Sequence, residues 1–349
     1  MSSTNVTINQ LTLATTTIVL ILLCIAFTLG IIGLILNIIV FTRPALCREP
    51  CSFYFLSSTY FNLFVVLIVI PVRILSNSFN IDLGYYNVGI CKVEYFAFYS
   101  IRTISCWLIT LACIDRYIHS SAKSHIRRLS SLKIAKVTSG IIIISIPILY
   151  SHMIIYMNIT YSNNQLGNRV PNCISDNDIH RVFLAIWYMT LYSLCPSFLM
   201  ILFGFLTLNN IRQRRQAVTR VAKNDRITRR TDSQLLRMLA AQVFVIVITT
   251  LPQSIIQLYV TFTANVVKDK LRLAQENLAS KTLGGMTFFA HSSSFYFFTL
   301  SGTVFRKELQ KFLRQHIYPH QNRVHINSGE TRLPSAVPGN QQINCNNII

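Results

Sequence analysis

The sequence predicts an all-α membrane protein: a bundle of seven transmembrane helices followed by a short amphipathic eighth helix on the membrane surface. Three observations predict it. Of 349 residues, 52% are hydrophobic and only 13% are charged, about half the charge of an average soluble domain. The apolar residues gather into seven runs, each long enough to cross about 30 Å of hydrocarbon. The basic residues concentrate in alternate connecting segments.

The runs fall at 18–42, 53–75, 91–117, 134–157, 182–208, 235–263 and 282–304. The segment before the first run, MSSTNVTINQ, carries no Lys or Arg, unlike the basic start of a signal peptide, so the first run is expected to stay as a spanning helix. The third run is the least apolar, because Lys92, Glu94 and Arg102 interrupt it. No internal repeat is visible, nor a pair of Gly/Pro-broken helices of the transporter kind. The chain therefore divides into an extracellular N-terminus (1–17), a seven-helix domain (18–304), an amphipathic membrane-surface helix (305–315) and a polar, disordered cytoplasmic tail (316–349).

Orientation follows from Lys and Arg. With the N-terminus outside, most of the 32 basic residues lie in the three inner loops and the tail, whereas the 12 acids divide evenly between the two sides. That asymmetry satisfies the positive-inside rule. The net charge of +20 is thus expected to face anionic lipid and inner-side partners, and nothing else in the chain speaks for nucleic acid. Two N-glycosylation sequons, at Asn5 and Asn158, fall outside in this topology. The third inner loop (209–234) is basic and offers Thr231 and Ser233 to kinases.

The topology also sorts the nine cysteines. Cys91 and Cys173 alone face the oxidising side, so one disulfide is possible there. It would tie the outer end of the third helix to the loop between helices four and five. Cys47 and Cys51, spaced C-x3-C without a second pair or a neighbouring His, are expected to be plain cytosolic thiols, open to lipidation. The sequence shows no metal cluster, nucleotide loop or catalytic triad, so neither an enzyme nor a metal or organic cofactor is expected.

Several motifs, in this order and at these spacings, resemble the rhodopsin-like family of G-protein-coupled receptors over roughly Gly33 to Phe312. Asn37 closes Gly33-Leu34-Ile35-Leu36-Asn37 in the first helix. Cys91 precedes Asp115-Arg116-Tyr117 by the family's spacing. Pro196 and Pro252 match the prolines of helices five and six, where a freed carbonyl permits a kink. Val304-Phe305-Arg306-Lys307-Glu308-Leu309 resembles the start of the surface helix. The resemblance implies that Asp115 restrains Arg116 at rest, and that freed Arg116 meets a heterotrimeric G protein, with Tyr117 at the interface. Asp232, at the inner end of helix six, matches an acid that pairs with that Arg. Arrestin and receptor kinases are further partners the resemblance implies.

Departures from the family are as specific. Asn62 stands where helix two carries an Asp that helps hold sodium. Thr250 replaces the helix-six Trp, and Gly204 the helix-five Tyr. The helix-seven Asn-Pro-x-x-Tyr reads Ser294-Phe295-Tyr296-Phe297-Phe298. Phe98 occupies the position of the amine receptors' Asp. Phe288 and Phe289, not a Lys, fill the interior of helix seven, which leaves no anchor for retinal.

The ligand side centres on Arg102, which lies about 16 Å into the third helix by rise per residue. An Arg at that depth should face a cavity and have a partner. Glu94, two turns above on nearly the same face, is the expected resting partner. Arg102, helped by Arg73 on helix two, is expected to meet an anionic or carbonyl-rich group of the ligand. Gln253 and Gln257, Tyr188 and Tyr192, and His291 complete the candidate pocket, and the long polar loop 161–178 suits a peptide. The expected function is transduction of an extracellular ligand, a peptide, into G-protein activation at the plasma membrane. The alternative is a scavenging or scaffolding receptor without normal coupling, motivated by the altered helix seven. A channel or transporter is disfavoured by the seven simple runs and the few intramembrane charges.

Overall fold

The computed structural model describes residues 2–317 apart from 45, 48, 80, 164–168, 218–224 and 265. The side chains of 1–5, 162–163, 169–170, 214–217, 225–235, 301, 303–304 and 315–317 also lie outside the described residues. The sequon at Asn5, the candidate lock Asp232, the kinase candidates Thr231 and Ser233 and nearly all of the tail fall there.

Helix α1 (Ser2–Phe41) starts well ahead of its apolar run. Helix α2 (Pro50–Phe79) opens with Pro in its first turn, where the missing N–H costs nothing, and passes through one π-helical turn at Val65–Val69. Helix α3 (Val88–Ser120) is capped by Asn87, whose side chain accepts from the Gly89 and Ile90 amides. After one turn at Ser124–Arg127 comes α4 (Leu132–Tyr156), bent at Ser151. Strands β1 (Met157–Asn163) and β2 (Arg169–Ser175) then form an antiparallel hairpin with Ile159 opposite Cys173. Helix α5 (Asp178–Ala217) is interrupted by a π-helical stretch at Met189–Leu194 just before Pro196. Helix α6 (Asp225–Phe262) contains Pro252.

The seventh position of the bundle is shared by two helices. Helix α7 (Lys270–Ser292) stops at Ser293, whose φ of −93° and ψ of −4° leave the helical pattern, and α8 (Ser294–Ser301) continues from there. Ser293 Oγ donates to the Phe289 carbonyl at 2.5 Å, a local bond of the kind that bends helices. Among the described residues six helices, α1 to α6, are long and apolar enough to cross a membrane, and α7 with α8 supplies the seventh rod. Gly302 then turns the chain into α9 (Thr303–Ile317): a Cβ there would sit 2.8 Å from the Phe298 carbonyl oxygen.

Polarity is distributed inside-out. Ile144, Ile148, Phe198, Phe244 and Ile255 are exposed on the bundle's surface, whereas Asn37, Ser58, Asn62, Arg102, Thr287 and His291 are buried. That suits a surface solvated by lipid, with polar groups satisfied within the bundle. Near the Asp115 end, Phe41, Phe55, Phe298 and Phe305 form an aromatic cluster with centroids 4.9–6.1 Å apart. Phe298 thus locks α8 to α1, α2 and α9.

Cys91 and Cys173 are joined in a disulfide with Cα atoms 5.7 Å apart, pinning β2 to the start of α3. Cys47 corrects the expectation of two plain thiols, because it is disulfide-bonded. Cys51 is fully buried on the first turn of α2. Two cysteines four apart across a loop–helix boundary need not share an environment, and here they do not.

Candidate ligand site and switch

Arg102 lies in the middle of α3 and is only 3% exposed. Its Nη2 donates to Tyr192 OH on α5 at 3.0 Å and to Thr287 Oγ1 on α7 at 2.5 Å. Its Nε donates to His291 Nε2 at 3.3 Å. A guanidinium can only donate, so Nε2 is the acceptor nitrogen and His291 carries its proton on Nδ1. That proton points at Asn62 Oδ1 on α2, 2.8 Å away. Asn62 Oδ1 also accepts from Ser105 Oγ at 2.5 Å, and Ser105 meets Ser58 at 2.9 Å. One polar chain therefore links α3, α5, α7 and α2.

The charge itself is stabilised by ring faces. Phe98, Tyr192 and Phe288 lie 4.8–5.0 Å from the guanidinium carbon, each a cation–π contact strengthened by desolvation. Among the described residues no carboxylate is paired with Arg102. Glu94 was the expected partner; it pairs instead with Arg73 at 3.6 Å. The reason is Phe98, midway between Glu94 and Arg102. Its ring takes Arg73 on one side at 4.6 Å and Arg102 at 4.8 Å, and so separates the acid from the deeper guanidinium.

Above Arg102 opens a cavity of about 140 Å³ lined by residues of α1, α2, α3, α5, α6 and α7. Arg73, Arg102 and Lys281 line it, with Gln253 and Gln257, against walls that include Phe98, Tyr99, Tyr188 and Phe288. Three basic residues and no acid make its lining cationic. Arg102 Nη1 makes no hydrogen bond among the described residues, and Gln253 Oε1 is likewise buried without a partner. The volume admits a chain end or one side chain, not a folded ligand.

Six of the expected pocket residues (Arg73, Phe98, Arg102, Tyr188, Gln253 and Gln257) line this cavity, while Tyr192 and His291 stand outside its lining as hydrogen-bond partners of Arg102. Thr287 and the acceptor role of Asn62 escaped sequence reasoning. Thr287 stands one helical turn before His291, a spacing that puts both on one face, and this was the signal available.

At the other end of α3, Asp115 and Arg116 are both buried. Asp115 Oδ2 accepts from Arg116 Nη2 at 2.8 Å and from Nε at 3.2 Å. Asp115 Oδ1 accepts from Ser130 Oγ at 2.7 Å, so the carboxylate is held from two directions. Glu49, just before α2, approaches Arg116 at 3.9 Å. Tyr117 packs on Phe203 of α5 with ring centroids 5.4 Å apart. Asn158 stands at the head of β1, its amide donating to Asp176 at 2.7 Å.

A helical bundle with a lipid-compatible exterior, a disulfide-pinned cavity at one end and an ionic cluster at the other defines a seven-helix membrane receptor. The profile described as 7 transmembrane receptor (rhodopsin family) matches residues 33–296, and the chain belongs to that family. Its members are signalling receptors, with extracellular ligands and G proteins as their general partners. A comparison with curated proteins finds no match. The altered helix-seven motif reads differently in three dimensions. Ser294 accepts from Asn37 Nδ2 at 2.9 Å, so a hydroxyl now meets the helix-one asparagine, and Phe298 is packed among rings.

Proposed function

We propose that this receptor sits in the plasma membrane with the disulfide end outside and couples an extracellular peptide to a heterotrimeric G protein. The peptide presents an anionic group, a C-terminal carboxylate or an acidic side chain, to Arg102. The observation that carries this reading is the buried Arg102 guanidinium, which lines a cationic cavity and, among the described residues, has neither a carboxylate partner nor a hydrogen bond at Nη1. A bound carboxylate gains charge-assisted hydrogen bonds there, and Arg73 and Lys281 attract it from above. Because Arg102 also ties α5 and α7 to α3, a ligand that draws on the guanidinium biases the packing of those helices. Only such differential contact can shift a two-state equilibrium.

On the inner side, Arg116 is the group a G protein meets once it leaves Asp115, and arrestin and receptor kinases would act on the same face. The runner-up, a scavenging or scaffolding receptor, draws on Phe298, whose ring cluster replaces the family's tyrosine. A library of peptides with free and amidated C-termini, read by G-protein activation, separates the two. Activation by a free-acid peptide, lost in Arg102→Gln and in Arg116→Ala at unchanged surface level, supports coupling through these residues. Ligand uptake without G-protein activation supports the runner-up.

A further inference from the structure

We propose that Ser130 is a phosphorylation site whose modification releases Arg116 from Asp115; this rests on the reading that the Asp115 end is cytosolic. Two independent observations meet at this residue. Ser130 Oγ donates to Asp115 Oδ1 at 2.7 Å, so it holds the acid that holds Arg116. The residues before it read Arg127-Arg128-Leu129-Ser130, with all three preceding side chains exposed. Arg two and three positions ahead of a serine is the pattern taken by kinases with an acidic peptide groove, where charge complementarity steers docking.

In the structure the hydroxyl is engaged. Ser130 N–H bonds the Arg127 carbonyl at 3.1 Å, and Ser131 N–H the Leu129 carbonyl at 3.0 Å. A kinase needs this short turn opened, and opening it breaks the Ser130–Asp115 bond. The enzyme therefore captures the loosened form of the receptor. The γ-phosphoryl group of ATP passes to Ser130 Oγ; the bond from Pγ to the bridging oxygen breaks, ADP leaves, and the hydroxyl proton goes to the kinase's base. The product has lost the O–H that served Asp115 and gained about −2 charge. Return to the closed turn would set that charge against the Asp115 carboxylate, while the exposed Arg127 and Arg128 favour it turned outward. Asp115 is left with one support fewer, and Arg116 is held less firmly.

The test uses the full-length receptor in lipid nanodiscs, with the catalytic subunit of cAMP-dependent protein kinase and ATP as probes. Mass spectrometry is expected to place phosphate on Ser130 in the wild type and in Ser131→Ala, and not in Ser130→Ala. Phosphate on Ser131 alone, or none in the folded receptor, overturns the assignment. Hydrogen–deuterium exchange of residues 112–136 should quicken after modification, and unchanged exchange overturns the release. Ligand-free nucleotide exchange on an added G protein should rise roughly ten- to a hundredfold, the scale of one charge-assisted hydrogen bond. It should not rise further in Asp115→Asn; an equal further rise there overturns the proposed route. Quickened exchange at Ser130-phosphorylated receptor with no nucleotide exchange in any form counts against G-protein coupling and leaves the Ser130 switch standing.

Discussion

His291 stands between Arg102 and Asn62, accepting from one at 3.3 Å and donating to the other at 2.8 Å. This single imidazole joins Arg102 to α2, and it works only in the neutral form with the proton on Nδ1. Among the described residues, every group that the guanidinium beside it touches is neutral.

That arrangement predicts opposite effects for two substitutions. His291→Phe leaves the Arg102 Nε–H without an acceptor in a buried site, at a cost of about 1.5–3 kcal/mol, and should lower the melting temperature of the purified receptor. Arg102→Met removes a charge whose desolvation is costly and leaves Tyr192 and His291, 3.2 Å apart, to bond each other. It should melt no lower than wild type while losing any response to an anionic ligand. A lower melting temperature for Arg102→Met than for His291→Phe would mean that the guanidinium serves structure first.

Charge reversal sharpens the ligand side. Arg102→Glu places a carboxylate on the cavity floor and should abolish activation by a free-acid peptide with surface expression retained. Lys281→Gln, at the cavity wall, should weaken binding by less than the loss of Arg102, because a more exposed charge is better screened. G-protein activation with surface labelling measures the first, and radioligand binding on whole cells the second.

The disulfide prediction concerns additivity. Cys91→Ser and Cys173→Ser should each reduce surface expression, with the typical cost of a native bridge being about 2–4 kcal/mol. The double variant should be no worse than either, since one bond is lost in all three. Flow cytometry of epitope-tagged receptor reads this, and additive losses would be inconsistent with the pairing seen here.

The ionic cluster at the Asp115 end predicts gain of function. Asp115→Asn weakens the hold on Arg116 and should raise ligand-free signalling, whereas Arg116→Ala should abolish the ligand response. Glu49→Gln should change either by under about 1 kcal/mol, because the pair is long, at 3.9 Å, and the acid is 39% exposed. Basal and stimulated nucleotide exchange on the same membranes distinguishes the three.

A pH effect is expected at the disulfide end. Glu276 lies ahead of the apolar run 282–304 and ties α7 to α6. Burial pushes its carboxyl up, but donors from Lys268, Tyr259 and Arg272 outweigh that and hold it below the ordinary range. A depressed folded value means that this tie stabilises the fold above the unfolded carboxylate value near 4.3 and is lost as pH falls through the lower folded value. Melting curves of wild type should therefore drop in that acid window, and Glu276→Gln should flatten the drop.

Much of this was legible in one dimension because membrane insertion writes itself into composition. Apolar runs marked the helices. The pairing of Cys91 with Cys173 followed from having two thiols on one side. The ligand end was half legible. An Arg at mid-membrane depth announces a site, but its partners came from residues 90 to 189 positions away, beyond any local pattern. Glu94 looked like its partner from helical periodicity, and Phe98 between them could not be weighed without its ring orientation. The break at Ser293 was hidden for a similar reason: a serine in an apolar run reads as helix until its hydroxyl is seen to take a carbonyl of the preceding turn.

The sequence by itself determined the class of fold and the Cys91–Cys173 disulfide, because burial in lipid and the oxidising side constrain residue types position by position. Only the tertiary structure decided which groups share the charge of Arg102, that Arg73 and not Arg102 takes Glu94, and that Ser130 grips Asp115. Those choices depend on how side chains from different helices are packed around one another, and hydrogen-bond directionality settles them at distances of about 3 Å, a scale on which sequence spacing is silent.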